Sequence, residues 1–114
     1  MLSLKNRRVF LALGYTDLRR AIRGLSILVE SQLDLDLFQG DLFVFCNKRK
    51  KIIKILYWDR NGFCLWQKTL EKELFKWPKR ETDIECLQIK QLEWLLEGLD
   101  IDQAHQKLIY QHAT

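Results

Sequence analysis

Short apolar runs separated by polar turns predict a series of β-strands along the chain. Residues 7–13 form the first run, which ends at Gly14. Three more runs follow in quick succession, at residues 41–46, 51–59 and 63–70. The segments that join these three are short and polar, so an antiparallel meander is their simplest pairing, and residues 84–88 could add a short edge strand.

A first amphipathic helix is predicted over residues 17–33. Its apolar stripe consists of Leu18, Ile22, Leu25 and Val29, at the three- and four-residue spacing that places side chains on one helix face. Thr16 or Asp17 can cap this helix through a side-chain oxygen. Gly24 in its middle indicates close packing of another element.

A second amphipathic helix is predicted from Ile89, with Gly98 placed to end it in a left-handed conformation. Its stripe consists of Leu92, Leu95, Leu96 and Leu99. The chain is therefore expected to be an α+β protein in which two amphipathic helices pack on an antiparallel meander sheet. We expect one domain over residues 1–114, with an ordered core at about residues 7–101 and a loose tail at residues 102–114.

Two polar turns and one lysine stand out within the meander. The composition of residues 47–51, Asn-Lys-Arg-Lys-Lys, predicts a hairpin tip, and the Asn61-Gly62 pair suits the positive φ values of a tight turn,. Lys54 lies on a strand that is otherwise apolar on both faces. It must therefore reach the rim of the sheet or pair with a carboxylate such as Asp41, Asp59 or Glu71.

Composition is consistent with a folded protein outside a membrane. A chain of 114 residues with 47% apolar residues can bury a core without disulfides or metals,. No apolar stretch approaches the roughly 20 residues that span a bilayer, and residues 1–8 lack the apolar region of a signal peptide, so we expect a cytoplasmic location. The widely spaced cysteines Cys46, Cys64 and Cys86 predict buried thiols rather than a disulfide framework or a zinc site.

The net charge of +4 hides a strong asymmetry along the chain. Residues 1–80 hold 17 Lys and Arg against 8 Asp and Glu, a net charge of +9, whereas residues 81–114 hold 2 against 7, a net charge of −5. The first part favours a polyanion or an acidic partner, and the acidic end could screen it or dock onto it.

The residues that could perform catalysis are few. His105 and His112 are seven positions apart in a polar segment, and no phosphate-binding loop, HExxH, GxSxG or CxxC motif occurs,. Several carboxylates could gather around a divalent ion as nucleases require, but helix capping, turns and ion pairs explain them more simply: Asp17, Asp41, Asp59, Glu71 and Glu73,. We expect no catalytic residues, no metal and no cofactor.

Two basic features are candidates for binding nucleic acid. Lys48, Arg49, Lys50 and Lys51 lie at the predicted hairpin tip, where long cations can reach along a phosphate backbone,. Arg19, Arg20 and Arg23 lie on the polar side of the first predicted helix, and arginine suits bidentate recognition of phosphate,. The alternatives are a solvated turn for the tip and a charged outer face with internal salt bridges for the helix.

Aromatic residues offer a second kind of surface. Core positions are the favoured explanation for five aromatic residues, but if exposed beside the cations they could stack on unpaired bases: Trp58, Phe63, Trp66, Phe75 and Trp77,. An apolar patch formed by Trp66, Phe75 and Trp77 with a basic rim could instead bind a protein partner.

The order and spacing of these segments resemble the TnpB-type accessory protein, encoded by the second open reading frame (Orf2), of insertion-sequence family sixty-six. The resemblance extends over about residues 7–101, and its segments are residues 14–19 (GYTDLR), 24–25, 40–45 (GDLFVF), 54–66 (KILYWDRNGFCLW) with Lys68, 75–78 (FKWP), 91–92 and 95–100. It implies a helper encoded beside a separate transposase that carries the catalytic acidic residues. The chain would then need none of its own.

Two functions follow as hypotheses. The first is an accessory module that binds DNA, including transposon ends, through the arginines of residues 19–23 and the hairpin tip. The second is a protein adaptor that binds the transposase or another element-encoded protein. A metal-dependent nuclease is the least favoured alternative, and neither the oligomeric state nor the DNA site follows from the sequence.

Overall fold

A five-stranded sheet forms the centre of the protein in a computed structural model that describes residues 5–103. In chain order the strands are β1 (Val9–Ala12), β2 (Leu42–Cys46), β3 (Ile52–Asp59), β4 (Gly62–Thr69) and β5 (Ile84–Leu87). In the sheet their order is β4-β3-β2-β1-β5. The predicted tail falls mostly on residues 104–114, which lie outside the described residues.

The predicted meander is confirmed by the antiparallel pairing of β2 with β3 and of β3 with β4. The predicted edge strand is also present, because β5 pairs antiparallel with β1 at one side of the sheet. The sheet also contains a parallel pairing of β1 with β2, which was not predicted from the sequence. Parallel neighbours require a long crossover connection, and the first helix lies in that connection.

Two helices, α1 (Ile22–Leu28) and α2 (Ile89–Leu96), confirm the α+β class. The first begins five residues later than predicted, and its N-cap, Ala21, has no side-chain capping bond. The expected cap is wrong because the Asp17 carboxylate accepts hydrogen bonds from Arg19 in a turn before the helix. After α1 the chain continues through a π-helical turn, Val29–Leu33.

The helices cover opposite faces of the sheet. One core contains Val44, Ile53 and Ile55 together with Leu92 and Leu95 of α2. The other contains Phe43, Phe45 and Leu56 together with the predicted stripe residues Leu18, Leu25 and Val29. Because the strand residues alternate between two covered faces, the central strands are apolar on both sides, as the sequence indicated for β3.

One lysine from each of two adjacent strands binds backbone carbonyls at an end of, or just before, a helix. Lys54 Nζ on β3 donates to the carbonyl oxygen of Leu18 at 2.7 Å and to that of Arg20 at 3.5 Å. Lys68 Nζ on β4 donates to the Leu96 carbonyl oxygen, at the end of α2, at 2.8 Å. The expected carboxylate partner for Lys54 is therefore wrong, because backbone carbonyls just before α1 receive its hydrogen bonds instead.

Glycine positions agree with the sequence in part. Gly98 has a φ of 87°, and the N–H of Leu99 donates to the Trp94 carbonyl oxygen at 2.9 Å, which confirms the left-handed cap of α2,. At Gly24 the nearest obstacle to an added Cβ is the Arg20 side chain at 3.1 Å, rather than another element. In the turn between β3 and β4 the positive φ of 53° belongs to Arg60, not to the Asn-Gly pair.

The burial expected for all three thiols is only partly correct. Cys46 is buried on β2, Cys64 is half-buried on β4, and Cys86 is exposed on the edge strand β5. No helix among residues 5–103 is long and apolar enough to cross a membrane.

The start of β1 is fixed to the start of β2 by two arginines. The Arg8 guanidinium donates to both oxygens of the buried Asp41 carboxylate, at 3.0 and 2.7 Å. Arg7 Nη1 donates to the Gly40 carbonyl oxygen at 2.8 Å, and Gly40 has a φ of 83°. A Cβ at Gly40 would lie 3.3 Å from Arg7 Nη1.

We predict that Gly40→Ala lowers the free energy of unfolding by about 1–2 kcal/mol, because alanine is strained at this φ. Chemical denaturation monitored by circular dichroism measures the change. Gly62→Ala is the matched control, since Gly62 has no positive φ and nothing within 4 Å of an added Cβ. A Gly40→Ala variant as stable as the Gly62→Ala variant would contradict the left-handed turn.

Candidate nucleic-acid interface

Three segments that are far apart in sequence meet at the end of the sheet where β2 leads into β3. The Thr16 N–H donates to the Cys46 carbonyl oxygen at 2.9 Å, which holds the loop after β1 to the end of β2. The Phe75 N–H donates to the Lys50 carbonyl oxygen at 2.7 Å. The Trp77 indole N–H donates to the Gly14 carbonyl oxygen at 2.8 Å, so the segment that contains Phe75 and Trp77 is also joined to the loop after β1.

Asn47 organises the hairpin tip. Its side-chain oxygen accepts from the N–H groups of Lys51 and Ile52, both at 3.0 Å. The Lys50 N–H donates to the Asn47 carbonyl oxygen at 3.0 Å, and Lys50 takes a left-handed φ of 60°. The side chains of Lys48 and Arg49 are exposed on this fixed turn.

A groove of about 720 Å³ separates the hairpin tip from the loop after β1. We call it the tip groove, and it is lined by Tyr15, Thr16, Asp17, Leu18, Arg19, Asn47, Lys48, Arg49 and Ile52. Lys48 Nζ lies 5.4 Å from the centre of the Tyr15 ring, which is 66% exposed. A cation over an aromatic face is stabilised by the ring quadrupole, so this pair links the two walls of the groove.

An ion pair on one wall partly neutralises the groove. Arg19 donates to both oxygens of Asp17, with Nη2 to Oδ2 at 2.6 Å and Nε to Oδ1 at 2.9 Å. The hydrogen bonds from Arg19 lower the pKa of the Asp17 carboxyl to about 2, and the same pairing raises the pKa of Arg19. Both side chains are exposed, so the pair contributes little to stability,.

A second depression, of about 370 Å³, lies beside the tip groove. It shares Tyr15 and Lys48 with that groove and adds Lys50, Pro78 and Lys79. Arg80 at its edge donates to both Asp102 oxygens at 2.9 Å and to Glu85 at 3.3 Å, which raises the Arg80 pKa. The acidic end of the described chain therefore contacts the basic part, as the charge asymmetry suggested.

The predicted nucleic-acid residues are only partly brought together. Arg19, Lys48 and Arg49 line the tip groove, whereas Arg20 and Arg23 do not. Arg20 precedes α1, so only Arg23 of the three predicted arginines lies on a helix. Lys50 lines the neighbouring depression, and Lys51 Nζ donates to the Glu71 carbonyl oxygen at 3.4 Å.

The predicted protein-binding residues are placed mainly in the core. Phe75 and Trp77 are 1% and 7% exposed, and Trp66 is half-buried against the same core. Burial of Phe75 and Trp77 removes most of the exposed apolar patch that the adaptor hypothesis invoked. A role for these three residues in binding a partner stays a prediction that no contact tests.

Three of the five carboxylates considered as metal ligands pair with separate arginines. Asp17 pairs with Arg19, Asp41 with Arg8, and Asp59 with Arg7. Within the part of the chain that the structure describes, no three residues of the types that bind metals are grouped. Burial raises the pKa of the Cys46 thiol to about 12, so this thiol stays protonated at neutral pH,. His105 and His112 lie outside the described residues.

Sequence reasoning missed Tyr15 and Lys79 as parts of this surface. Tyr15 stands between Gly14 and Thr16, outside any periodic apolar run, and this isolation of an aromatic residue in a loop was the available signal. Lys79 follows Trp77-Pro78, and only the long-range bond from Trp77 to Gly14 brings it to the hairpin tip.

The Asp17–Arg19 pair predicts a specific titration. In the wild-type protein the Asp17 carboxyl should titrate at about 2, below its ordinary 3.8, and Arg19→Gln should return it toward that value. Because the folded-state pKa is depressed, the pair's contribution to stability is present above the unfolded-state pKa and is lost as pH falls through about 2. Carboxyl-carbon NMR against pH measures both values.

Arg23→Gln is the control for this titration, because Arg23 has no part in the shift. It should leave the Asp17 pKa unchanged. An identical Asp17 pKa in the wild-type and Arg19→Gln proteins would contradict the paired geometry.

Comparison with known proteins agrees with the resemblance carried by the sequence motifs. An uncharacterized protein, y4hO, of Sinorhizobium fredii is 35% identical over 96 residues, which cover 84% of this chain and 84% of that protein. A second, y4jC, of the same organism is 36% identical over 93 residues, 82% of this chain and 80% of the relative. No solved structure matches the chain significantly. The model of the family described as IS66 Orf2 like protein matches residues 7–106, and the chain therefore belongs to that family.

Proposed function

We propose that this protein is a non-catalytic accessory protein of a bacterial insertion sequence that supports transposition by binding DNA through the tip groove. Membership of the IS66 Orf2-like family supports the link to an insertion sequence. The observation that carries DNA binding is the position of Lys48 and Arg49, neither in an ion pair among residues 5–103, on the wall of one groove.

The charges at the hairpin tip favour an external anion. The ion pairs formed among residues 5–103 do not include Lys48, Arg49 or Lys50. By contrast, Arg7, Arg8 and Lys54 bind internal carboxylates or backbone carbonyls. A cluster of cations without carboxylate partners attracts a phosphate backbone and releases its counterions on binding.

The rigidity of the turn also supports a binding role. Asn47 and the bonds that join the tip to Thr16 and Phe75 fix the backbone beneath the cations. Lys50 occupies a left-handed conformation that glycine or asparagine would adopt at lower cost,. A lysine at this position is consistent with a requirement for its charge, since strained positions are often associated with function.

The adaptor hypothesis is less well supported than DNA binding. It relied on an exposed patch that contained Phe75 and Trp77, and both side chains are enclosed in the core. A protein partner, such as the transposase, would have to contact other residues.

The proposal predicts salt-dependent binding that depends on the tip cations. Fluorescence anisotropy with labelled terminal inverted-repeat duplex and a scrambled duplex, over a salt series, measures affinity and its slope. Lys48→Gln and Arg49→Gln should each weaken binding and reduce the log–log salt slope by about one, the amount expected for one lost phosphate contact. A difference between the two duplexes reports sequence preference.

Lys90→Gln is the matched control, because it removes one charge from the exposed surface of α2 without touching the groove. It should preserve both the affinity and the slope. Binding that survives the double variant Lys48→Gln/Arg49→Gln at full strength, or duplex binding that is absent from the wild type at low salt, would overturn the proposal.

A further inference from the structure

An aromatic cluster with one exposed ring lies at the opposite end of the sheet from the tip groove. It consists of Phe38, Trp58 and Phe63. The ring centres of Phe38 and Trp58 are 5.1 Å apart in an edge-to-face arrangement, and those of Trp58 and Phe63 are 5.0 Å apart. Trp58 and Phe63 are half-buried, whereas Phe38 is 58% exposed.

The exposed ring is held by a fixed turn. Phe38 belongs to a short 3₁₀ turn, Leu37–Gln39, and the Asp36 side chain accepts from the Phe38 N–H at 2.9 Å. Leu37 is buried in the core beside α1, so the turn is anchored from beneath. At its other end the Gly40 carbonyl oxygen accepts from Arg7. The outward position of Phe38 is therefore fixed by the turn itself.

Two cations lie beside this ring. Lys5 and Arg60 line a depression of about 380 Å³ with Phe38 and Trp58. Both cations are exposed, and neither takes part in an ion pair among residues 5–103. The one carboxylate in the depression, Asp59, is paired with Arg7 at 3.3 Å.

Arg60 has the same unusual backbone as Lys50 at the other end of the sheet. Its φ of 53° places it in the left-handed region, at a turn position where glycine or asparagine is preferred,. Both hairpins of the meander thus carry a cation in a conformation that disfavours it. This repetition at opposite ends of the sheet suggests that each cation is used for its charge.

We propose that this end of the sheet binds an unpaired base of DNA, which stacks on the Phe38 ring while Arg60 and Lys5 contact the adjoining phosphates. Stacking on an aromatic ring tolerates any DNA sequence because every base has a π-face. The cations beside the ring favour a polyanion over an apolar protein segment. The inference rests on the proposed function and adds single-stranded or unpaired DNA to its ligands.

The two sites are separated by the length of β3. Its eight residues span roughly 25 Å at about 3.3 Å per residue,. A duplex rises about 3.4 Å per base pair, so both ends of the sheet could contact one DNA molecule about seven base pairs apart. Paired DNA at the tip groove and an unpaired base at Phe38 fit a junction between double and single strands.

Substitutions at Phe38 test the stacking contact. Anisotropy with a short oligothymidylate strand should show binding by the wild type, retention by Phe38→Tyr, and a loss of roughly fivefold or more for Phe38→Leu. A strand that contains a fluorescent purine analogue adds a readout of stacking, since its emission should be quenched by the wild type and restored by Phe38→Leu. Equal strand affinity and quenching for wild type and Phe38→Leu would overturn the inference.

Substitutions at Arg60 distinguish an effect on strand binding from an effect on the stability of the fold. Arg60→Gly should keep or raise the midpoint of thermal unfolding, because glycine relieves the left-handed strain, while it weakens strand binding. Arg60→Lys should retain strand binding. Strand binding unchanged in Arg60→Gly would count against the inference.

Failure of this inference is distinguishable from failure of the proposed function. Duplex binding that depends on Lys48 and Arg49, with no strand binding by the wild type, overturns the second site and leaves the first intact. Strand binding that depends on Phe38, with no duplex binding, overturns the tip groove and supports the aromatic site.

Discussion

The hydrogen bonds that join three loops at the end of β2 are the constraint on which the candidate interface depends. Thr16 is held to Cys46, and Phe75 to Lys50, through backbone atoms, while the Trp77 indole reaches the Gly14 carbonyl. Phe75 and Trp77 are enclosed in the core, so the same core also fixes the position of the basic hairpin that Phe75 binds. Packing on the α2 face of the sheet therefore also determines where the cations of the hairpin tip lie.

Local patterns were sufficient for the elements whose partners are close in sequence. The β2–β3–β4 meander and the cap of α2 at Gly98 followed from short turns and periodic apolar residues. The start of α1 could not be predicted in this way. Lys54 binds the Leu18 carbonyl oxygen from 36 positions away, and the Asp17 carboxylate accepts a hydrogen bond from the Arg19 N–H instead of capping the helix. The parallel pairing of β1 with β2 likewise depends on a crossover whose packing no local signal determines.

The candidate site was predictable in its charges but not in their pairing. Basic residues at the hairpin tip are visible in the sequence, and the tip exposes Lys48 and Arg49. Whether a cation is available depends on neighbours in space: Arg19 is paired with Asp17, and Arg20 and Arg23 do not line the groove. Burial of the aromatic residues depends on tertiary contacts: the Trp77 indole is enclosed where it binds Gly14, whereas Phe38, which no sequence pattern singled out, is held outward by the turn around Leu37.

The proposed binding surface formed by the loop after β1 and the hairpin tip is tested most directly by NMR mapping of amide resonances during titration with duplex DNA. If DNA enters the tip groove, the amides of residues 15–19 and 47–50 should shift together and saturate at one DNA concentration, while those of α2 remain unchanged. Shifts confined to α2 or β5, or a response of the hairpin without the loop after β1, would contradict a single interface at this end of the sheet.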